Sequence, residues 1–438
     1  MQYSFFLLLL SLFLTSCDDS PAQSDPVTNP VDTAVAEPQT SGMAPEVVTV
    51  ASEVLLREYV PALTGKRVAL VANHTTVVHG GEHLVDAMLE AGIDLVKVFA
   101  PEHGFRGTAD AGQKVASSTD PKTGLPLISL YGSNKKPTAD QLDGVDLVMF
   151  DIQDVGTRFY TYISTMSYVM EACAENGVTM WVMDRPNPNG WYVDGPVLDP
   201  RHSSFIGLHP IPIVHGMTVG EYAQMVNGEG WLANGVKADL TVFQCEAYRH
   251  SMRWDQTGLE WIAPSPNLAS EYSAYLYPAI CWFEPTPVSV GRGTDSAFTM
   301  IGAEWLTPPA TARIDESGTF ELYGHQVTPF RFVPRSLPGK STYPKYQDEE
   351  IPGYDFEGRS SGTSLMLMGI ELFKQCYDTS PASERDAYFK KNFERWPGTD
   401  RFRAQIQAGE SAEAIYDSWQ EEVEAFKAVR AKYLMYEG

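Results

Sequence analysis

The sequence predicts an α/β chain: a parallel sheet with helices on both faces, followed by a smaller α+β domain. Three observations carry that expectation. Short apolar runs recur between about residues 67 and 183 and read as buried strands. They alternate with helical stretches, the β-α-β-α rhythm that builds a parallel sheet covered on both faces. After about residue 200 the rhythm is lost, and 260–300 is rich in Pro, Gly and aromatic residues.

In order, residues 52–59 look helical and 67–72 form the first strand. An amphipathic helix over 84–91 ends at Gly92, a natural C-cap. Strand 95–100 follows, then a short helix from 137 to 142, strand 145–150, helix 160–175 and strand 178–183. Beyond these, a helix is expected within 216–231, strands at 236–245 and 327–334, and helices over 363–376 and 412–433. A domain boundary is placed at 260, dividing 47–260 from 261–438.

The chain has 438 residues and a formal net charge of -24. Such acidity argues against nucleic acid and against general adhesion to anionic membranes. It leaves room for an anionic ligand held by one or two local arginines. Residues 1–16 read as a signal peptide, because the apolar run 5–14 is too short to span a bilayer. Leu14-Thr15-Ser16-Cys17 resembles a bacterial lipobox, which implies cleavage before Cys17 and lipidation of its thiol, although no Lys or Arg precedes the run. Residues 17–46, poor in large apolar side chains, read as a flexible tether to the membrane. Localisation is therefore expected in the cell envelope, with membrane contact through the lipid alone. Cys173, Cys245, Cys281 and Cys376 lack metal-ligand spacing and are expected to be buried free thiols.

In a parallel sheet, ligands sit beyond the carboxyl ends of the strands. Polar clusters follow four predicted strands directly, so all four are expected to line one site. The first is Asn73-His74. The second is Glu102-His103, where Glu102 suits the proton donor of a glycoside hydrolase and His103 could orient it. The third runs from Asp151 through Gln153 and Asp154 to Arg158, with Asp151 or Asp154 as the partner carboxylate and Asp154 free to pair with Arg158 four residues on. The fourth is Asp184-Arg185 with Asn187, a proline-stiffened loop of the kind that reads sugar hydroxyls. Further candidates are Ser265 and Asn267, Glu284 in an aromatic strand-like context, and Arg292 and Thr294 in a Gly-Arg-Gly-Thr turn. Each has a plainer reading as a loop brace, turn or structural ion pair; convergence of the strand ends favours function for Glu102, the readings stay balanced for Asp154, Arg158 and the Asp184 loop, and a turn with a solvated arginine is the plainer reading of Gly291-Arg292-Gly293.

Other patterns are set aside on context. Gly80 and Gly81 interrupt the His79-to-His83 spacing that zinc would need on a helix. Gly358-Arg359-Ser360-Ser361-Gly362 lacks the preceding strand and later histidine of a nucleophile elbow. No cofactor and no obligatory metal are expected.

The strand-end segments, in this order, resemble the NamZ-type exo-β-N-acetylmuramidase family (glycoside hydrolase family 171, formerly a domain of unknown function). The segments are Asn73-His74-Thr75, the stretch from Pro101 to Gly107, the stretch from Asp151 to Tyr162, and Asp184 to Pro188. His215 to Thr218, Pro264 to Asn267 and Gly291 to Thr294 continue the series, which covers about residues 50–435. The resemblance implies a Rossmann-like catalytic domain, a smaller substrate-binding domain and a cleft between them. It implies release of N-acetylmuramic acid from the non-reducing ends of peptidoglycan oligosaccharides or muropeptides, with Glu102 as leading carboxylate. That sugar carries a lactyl carboxylate, so Arg158, Arg185 and Arg292 are candidates to bind it. Two alternatives stay open at this point: a non-catalytic muropeptide-binding lipoprotein, and an amidase or esterase on the same scaffold.

Overall fold

The structure, a computed structural model, describes residues 47–102, 104–105, 118–309, 312–356 and 364–438. Seven strands form the first sheet: β1 (Val68–Ala72), β2 (Leu95–Ala100), β3 (Ser118–Thr119), β4 (Pro126–Ser129), β5 (Leu147–Asp151), β6 (Thr179–Met183) and β7 (Leu240–Phe243). Their order is β3-β4-β2-β1-β5-β6-β7, and every pairing is parallel except β3 with β4. The chain builds outward from β1 to β2 and β4, then returns to add β5, β6 and β7 on the other side. Winding therefore reverses at β1, and the crevice of such a sheet opens beyond the carboxyl ends at that reversal.

Alternate residues of β1 feed two cores, as strand geometry requires. Val68, Leu70 and Ala72 pack with Leu84, Val85 and Met88 of helix Leu84–Glu90. Ala69 and Val71 join Phe150 and the helix Tyr162–Asn176 through Ile163, Met166 and Met170. Helices on both faces leave β1 and β5 buried along their whole length.

The second sheet is smaller and antiparallel: β8 (Met300–Gly302), β9 (Phe320–Leu322), β10 (His325–Phe332) and β11 (Ile351–Asp355), in the order β8-β11-β10-β9. Helices Glu271–Ile280 and Leu365–Asp378 belong to this half. The larger core is continuous from Ala69 through Trp282 and Phe373 to Phe426, so the two sheets share one apolar interior.

Three expectations change. The predicted helix 412–433 is two helices, Ala412–Asp417 and Gln420–Arg430; the break turns Trp419 inward, where it is 1 % exposed. Glu284 does not stand in a strand. Ser270 caps helix Glu271–Ile280, its Oγ accepting from Ser273 N at 3.1 Å, and a 3-10 turn, Cys281–Phe283, leads on to Glu284. Strands β3 and β4 were not anticipated, because they are short and β4 opens on a proline.

All four cysteines of the described residues are free and buried. Cys17, with the leader and tether, lies outside the described residues, as do His103 and the Gly358–Gly362 pattern; the strand expected to be missing before that pattern is present as β11, but in an antiparallel sheet rather than the parallel one a nucleophile elbow needs.

Candidate active site

Strand β2 ends at Ala100, and Gly104 N bonds Pro101 O at 3.1 Å to close a tight turn. Gly104 has φ +72°, a conformation glycine adopts without strain. The turn carries Glu102. Thr161 Oγ1, just before helix Tyr162–Asn176, donates to Glu102 Oε2 at 3.1 Å. The Tyr131 hydroxyl, two residues past β4, also hydrogen-bonds this carboxyl. Burial and the carboxylate charge push the Tyr131 phenol well above its ordinary range, so it remains a donor. Three elements thus fix one acid.

Glu102 lines a cleft of about 1010 Å³, with Tyr131 and Lys135 from the loop after β4 and Glu284, Arg292, Tyr343 and Arg395 from the second half. The cleft adjoins a small cavity of about 70 Å³ where Glu102 and Arg292 meet Tyr160, Tyr162 and Ser265. In a chain of net charge -24, the cleft is cationic: Lys135, Arg292, Lys340, Lys391 and Arg395 line it against the carboxylates Glu102 and Glu284. Arg292 Nε donates to Glu284 Oε1 at 2.8 Å. Burial pushes the Glu284 carboxyl up, but Arg292 and Lys345 outweigh it and hold it below the usual range. Lys345 is itself pushed down to about 8 by burial, and donates to the carbonyls of Phe283, Glu284 and Val288 at 3.2, 3.0 and 2.6 Å.

Of the four strand-end clusters expected to share one site, only the β2 cluster enters this cleft. The others knit the strand ends into a buried scaffold. Asp151 is held in a two-pronged ion pair by Arg185, through Nε to Oδ1 and through Nη2 to Oδ2 at 2.9 Å. Arg185 also donates to Val77 O at 2.9 Å. Gln153 spends its amide on the carbonyls of Asp154 and Pro186. With Arg185 it lines a different hollow, of about 410 Å³, beside Trp254. Asn73 Nδ2 donates to the Tyr162 hydroxyl, which donates to Pro264 O; His74 Nε2 bonds Ala263 O at 2.7 Å.

Asp154 and Arg158 do not pair, because no helix begins there; the first helical residue is Tyr162. Asp154 is buried and accepts from Gly156 N at 2.7 Å, and burial raises its pKa to about 7. Arg158 is buried and bonds the carbonyls of Pro196, Ile211 and Trp396 at 2.7, 2.9 and 2.7 Å. Asp184 accepts from Gly220 N at 2.8 Å and from the Tyr436 hydroxyl at 2.6 Å. Asn187 donates to Met217 O at 2.8 Å.

In the second half, Asn267 Nδ2 donates to Lys340 O at 2.7 Å, and Thr294 Oγ1 closes its own turn on Gly291 O at 2.7 Å. Among the candidates, then, the structure brings Glu102, Ser265, Glu284 and Arg292 to the cleft and its small cavity. Tyr131, Thr161, Lys135, Tyr343 and Arg395 join them without having been singled out. Tyr131 follows the unanticipated β4, whose strand-end position would have flagged it. Among the described residues no group of three His, Cys, Asp or Glu side chains could hold a metal ion.

The fold and the cleft fit a class, the glycoside hydrolases: one carboxyl, Glu102, stands at a strand end of an α/β sheet, and a second, Glu284, lines the same cleft from the other half. Residues 68–272 match the family description "Exo-beta-N-acetylmuramidase NamZ, N-terminal", and residues 275–436 its C-terminal counterpart. The peptidoglycan beta-N-acetylmuramidase NamZ of Bacillus subtilis (strain 168) is 39% identical over 387 residues, which is 88% of this chain and 90% of that protein. Two DUF1343 family proteins of Bacteroides fragilis NCTC 9343, known as crystal structures, superpose with TM-scores of 0.75 and 0.78 at 38% and 31% identity. They cover 90% and 89% of this chain and 99% of their own. The chain belongs to the exo-beta-N-acetylmuramidase NamZ family.

Proposed function

We propose that this chain hydrolyses the bond joining a terminal N-acetylmuramic acid to the rest of a peptidoglycan fragment, working from the non-reducing end. The observation that carries this reading is a braced carboxyl, Glu102, in a cationic cleft on an acidic protein. N-acetylmuramic acid differs from N-acetylglucosamine by a lactyl group bearing a carboxylate, and a local excess of positive charge favours it.

In this reading Glu102 protonates the departing oxygen as the glycosidic bond breaks. Tyr131 and Thr161 aim it. Glu284 faces the same cleft as an ionised carboxylate, the form that a partner to the acid requires. Arg292, the one of the three candidate arginines that lines the cleft, binds the lactyl carboxylate. Residues 47–260 supply the acid and 261–438 most of the substrate-binding cations.

A chromogenic β-N-acetylmuraminide beside its N-acetylglucosaminide counterpart tests this. The muraminide should be cleaved and the glucosaminide spared. Arg292→Ala should cost the muraminide roughly 2 kcal/mol of transition-state binding, about thirtyfold in kcat/KM. Equal cleavage of both sugars would end the proposal.

The leader 1–16 and Cys17 support an exported, lipid-anchored enzyme standing off the membrane on residues 17–46. Cys17→Ser should move the protein from the membrane fraction to the soluble fraction; unchanged membrane association would refute the anchor.

A further inference from the structure

The cleft contains an aromatic side chain for which neither the acid nor the lactyl carboxylate has a use. Tyr343 is 91% exposed, against 37 to 51% for the other exposed large apolar side chains of the described residues. It nevertheless lines the cleft that holds Glu102. A ring left that open, on the wall of a cleft, offers its apolar area to a ligand that enters the cleft.

The segment that presents Tyr343 is firmly built. Leu337 and Ser341 exchange backbone bonds, Leu337 N to Ser341 O at 2.9 Å and Ser341 N to Leu337 O at 2.7 Å. Asn267 Nδ2 grips Lys340 O at 2.7 Å. Arg335 N donates to Gly293 O at 2.8 Å, and Pro344 packs so closely on Gly293 that a Cβ there would lie 2.6 Å from Pro344 Cγ. Lys345 is fastened by the three carbonyls already described. Anchors therefore flank Tyr343 at 340, 344 and 345, and the ring between them is held out. This gives Asn267 and the Gly291-to-Thr294 turn a task that does not require them to touch substrate.

Phe205, another ring that lines the cleft, is already engaged. It stacks on Tyr168 at 6.0 Å with an interplanar angle of 10°, and Lys135 Nζ lies 4.2 Å from its centroid. Among the described residues Tyr343 has no such ring or cation neighbour.

Position tells which sugar it serves. Glu102 belongs both to the open cleft and to the small cavity, whereas Tyr343 lines only the open cleft. An enzyme working from a chain end seats the terminal sugar at the confined end and lets the remainder leave through the open one. Resting on the muramidase reading, we propose that Tyr343 is the stacking platform for the neutral sugar on the leaving side of the scissile bond. The apolar face of a pyranose ring matches an aromatic face of similar area, and contact excludes water from both.

The test compares two substrates: the N-acetylmuramyl-N-acetylglucosamine disaccharide, and N-acetylmuramyl β-fluoride, whose leaving group has no ring. Tyr343→Ala should lower kcat/KM for the disaccharide by about tenfold, through KM, the scale of one lost stacking contact. It should leave the fluoride within about twofold. Tyr343→Phe should match wild type on both. An unchanged disaccharide value, or an equal loss on both substrates, overturns the platform while wild-type turnover still upholds the muramidase reading. If wild type turns over neither substrate, that reading fails and takes the platform with it. Since Tyr343 is exposed, unchanged thermal unfolding of both variants is the expected control.

Discussion

Glu102→Gln is expected to cut turnover of a muramyl substrate by about 10²- to 10⁴-fold, the scale of a lost general acid. Affinity for the same substrate should stay within about threefold, because the amide keeps the carboxyl's shape and one acceptor oxygen. The reasoning is geometric. Glu102 is fixed by Thr161 at 3.1 Å and by Tyr131, on a cleft wall that a sugar can reach. An amide placed there keeps one oxygen to accept a hydroxyl but cannot supply a proton to a departing oxygen. Initial rates together with calorimetric titration of the disaccharide check the two halves separately. A variant that keeps more than a tenth of wild-type turnover would remove Glu102 from the chemistry. A variant that loses affinity as steeply as rate would make Glu102 a binding group.

The largest effects on stability fall elsewhere, on Arg158 and Arg185. Arg185→Ala would leave Asp151 buried without its partner, and breaking such a pair costs about 3–5 kcal/mol. Arg158→Ala would strand three backbone carbonyls and open a void where Gly207 and Gly398 pack against the guanidinium, a loss of similar size, about 3–5 kcal/mol. Chemical denaturation measures both. The double variant Asp151→Leu with Arg185→Met discriminates structure from catalysis. Replacing both charges by apolar groups of similar volume should recover more than half of the lost stability, and the folded fraction should retain muraminide cleavage. Full stability with no turnover would place this pair in the chemistry.

Strands β1, β2, β5 and β6 were legible because each is a short apolar run in a helical rhythm. Glu102 could be singled out because it follows a buried strand and because the strand-end segments, in order, resemble a glycosidase family; the structure adds that it lines the cleft. The error was to treat every polar strand end as site-facing. Asp151, Gln153 and Asp184 lie where the rule puts them, at strand tips, yet the two carboxylates turn to Arg185, Gly220 N and Tyr436, and the Gln153 amide turns to buried carbonyls. A sequence shows that a polar group stands at a tip but not whether a neighbour, such as Arg185 or Tyr436, already satisfies it. Tyr131 and Tyr343 were missed for the opposite reason. One follows a four-residue strand that opens on proline, and the other sits in a loop whose meaning comes from partners about fifty or more residues away in the chain, Gly293 and Asn267.

The backbone carbonyls of Trp396 and Ala274 accept from Arg158 and from Asn189, and the Tyr436 hydroxyl donates to Asp184. A chain severed near 260 would deprive the first portion of all three, and the shared interior around Trp282 and Phe373 would face water on both fragments. Any exchange of halves between relatives must therefore carry the far terminus along with the parallel sheet, because the last few residues are fastened beneath its strand tips.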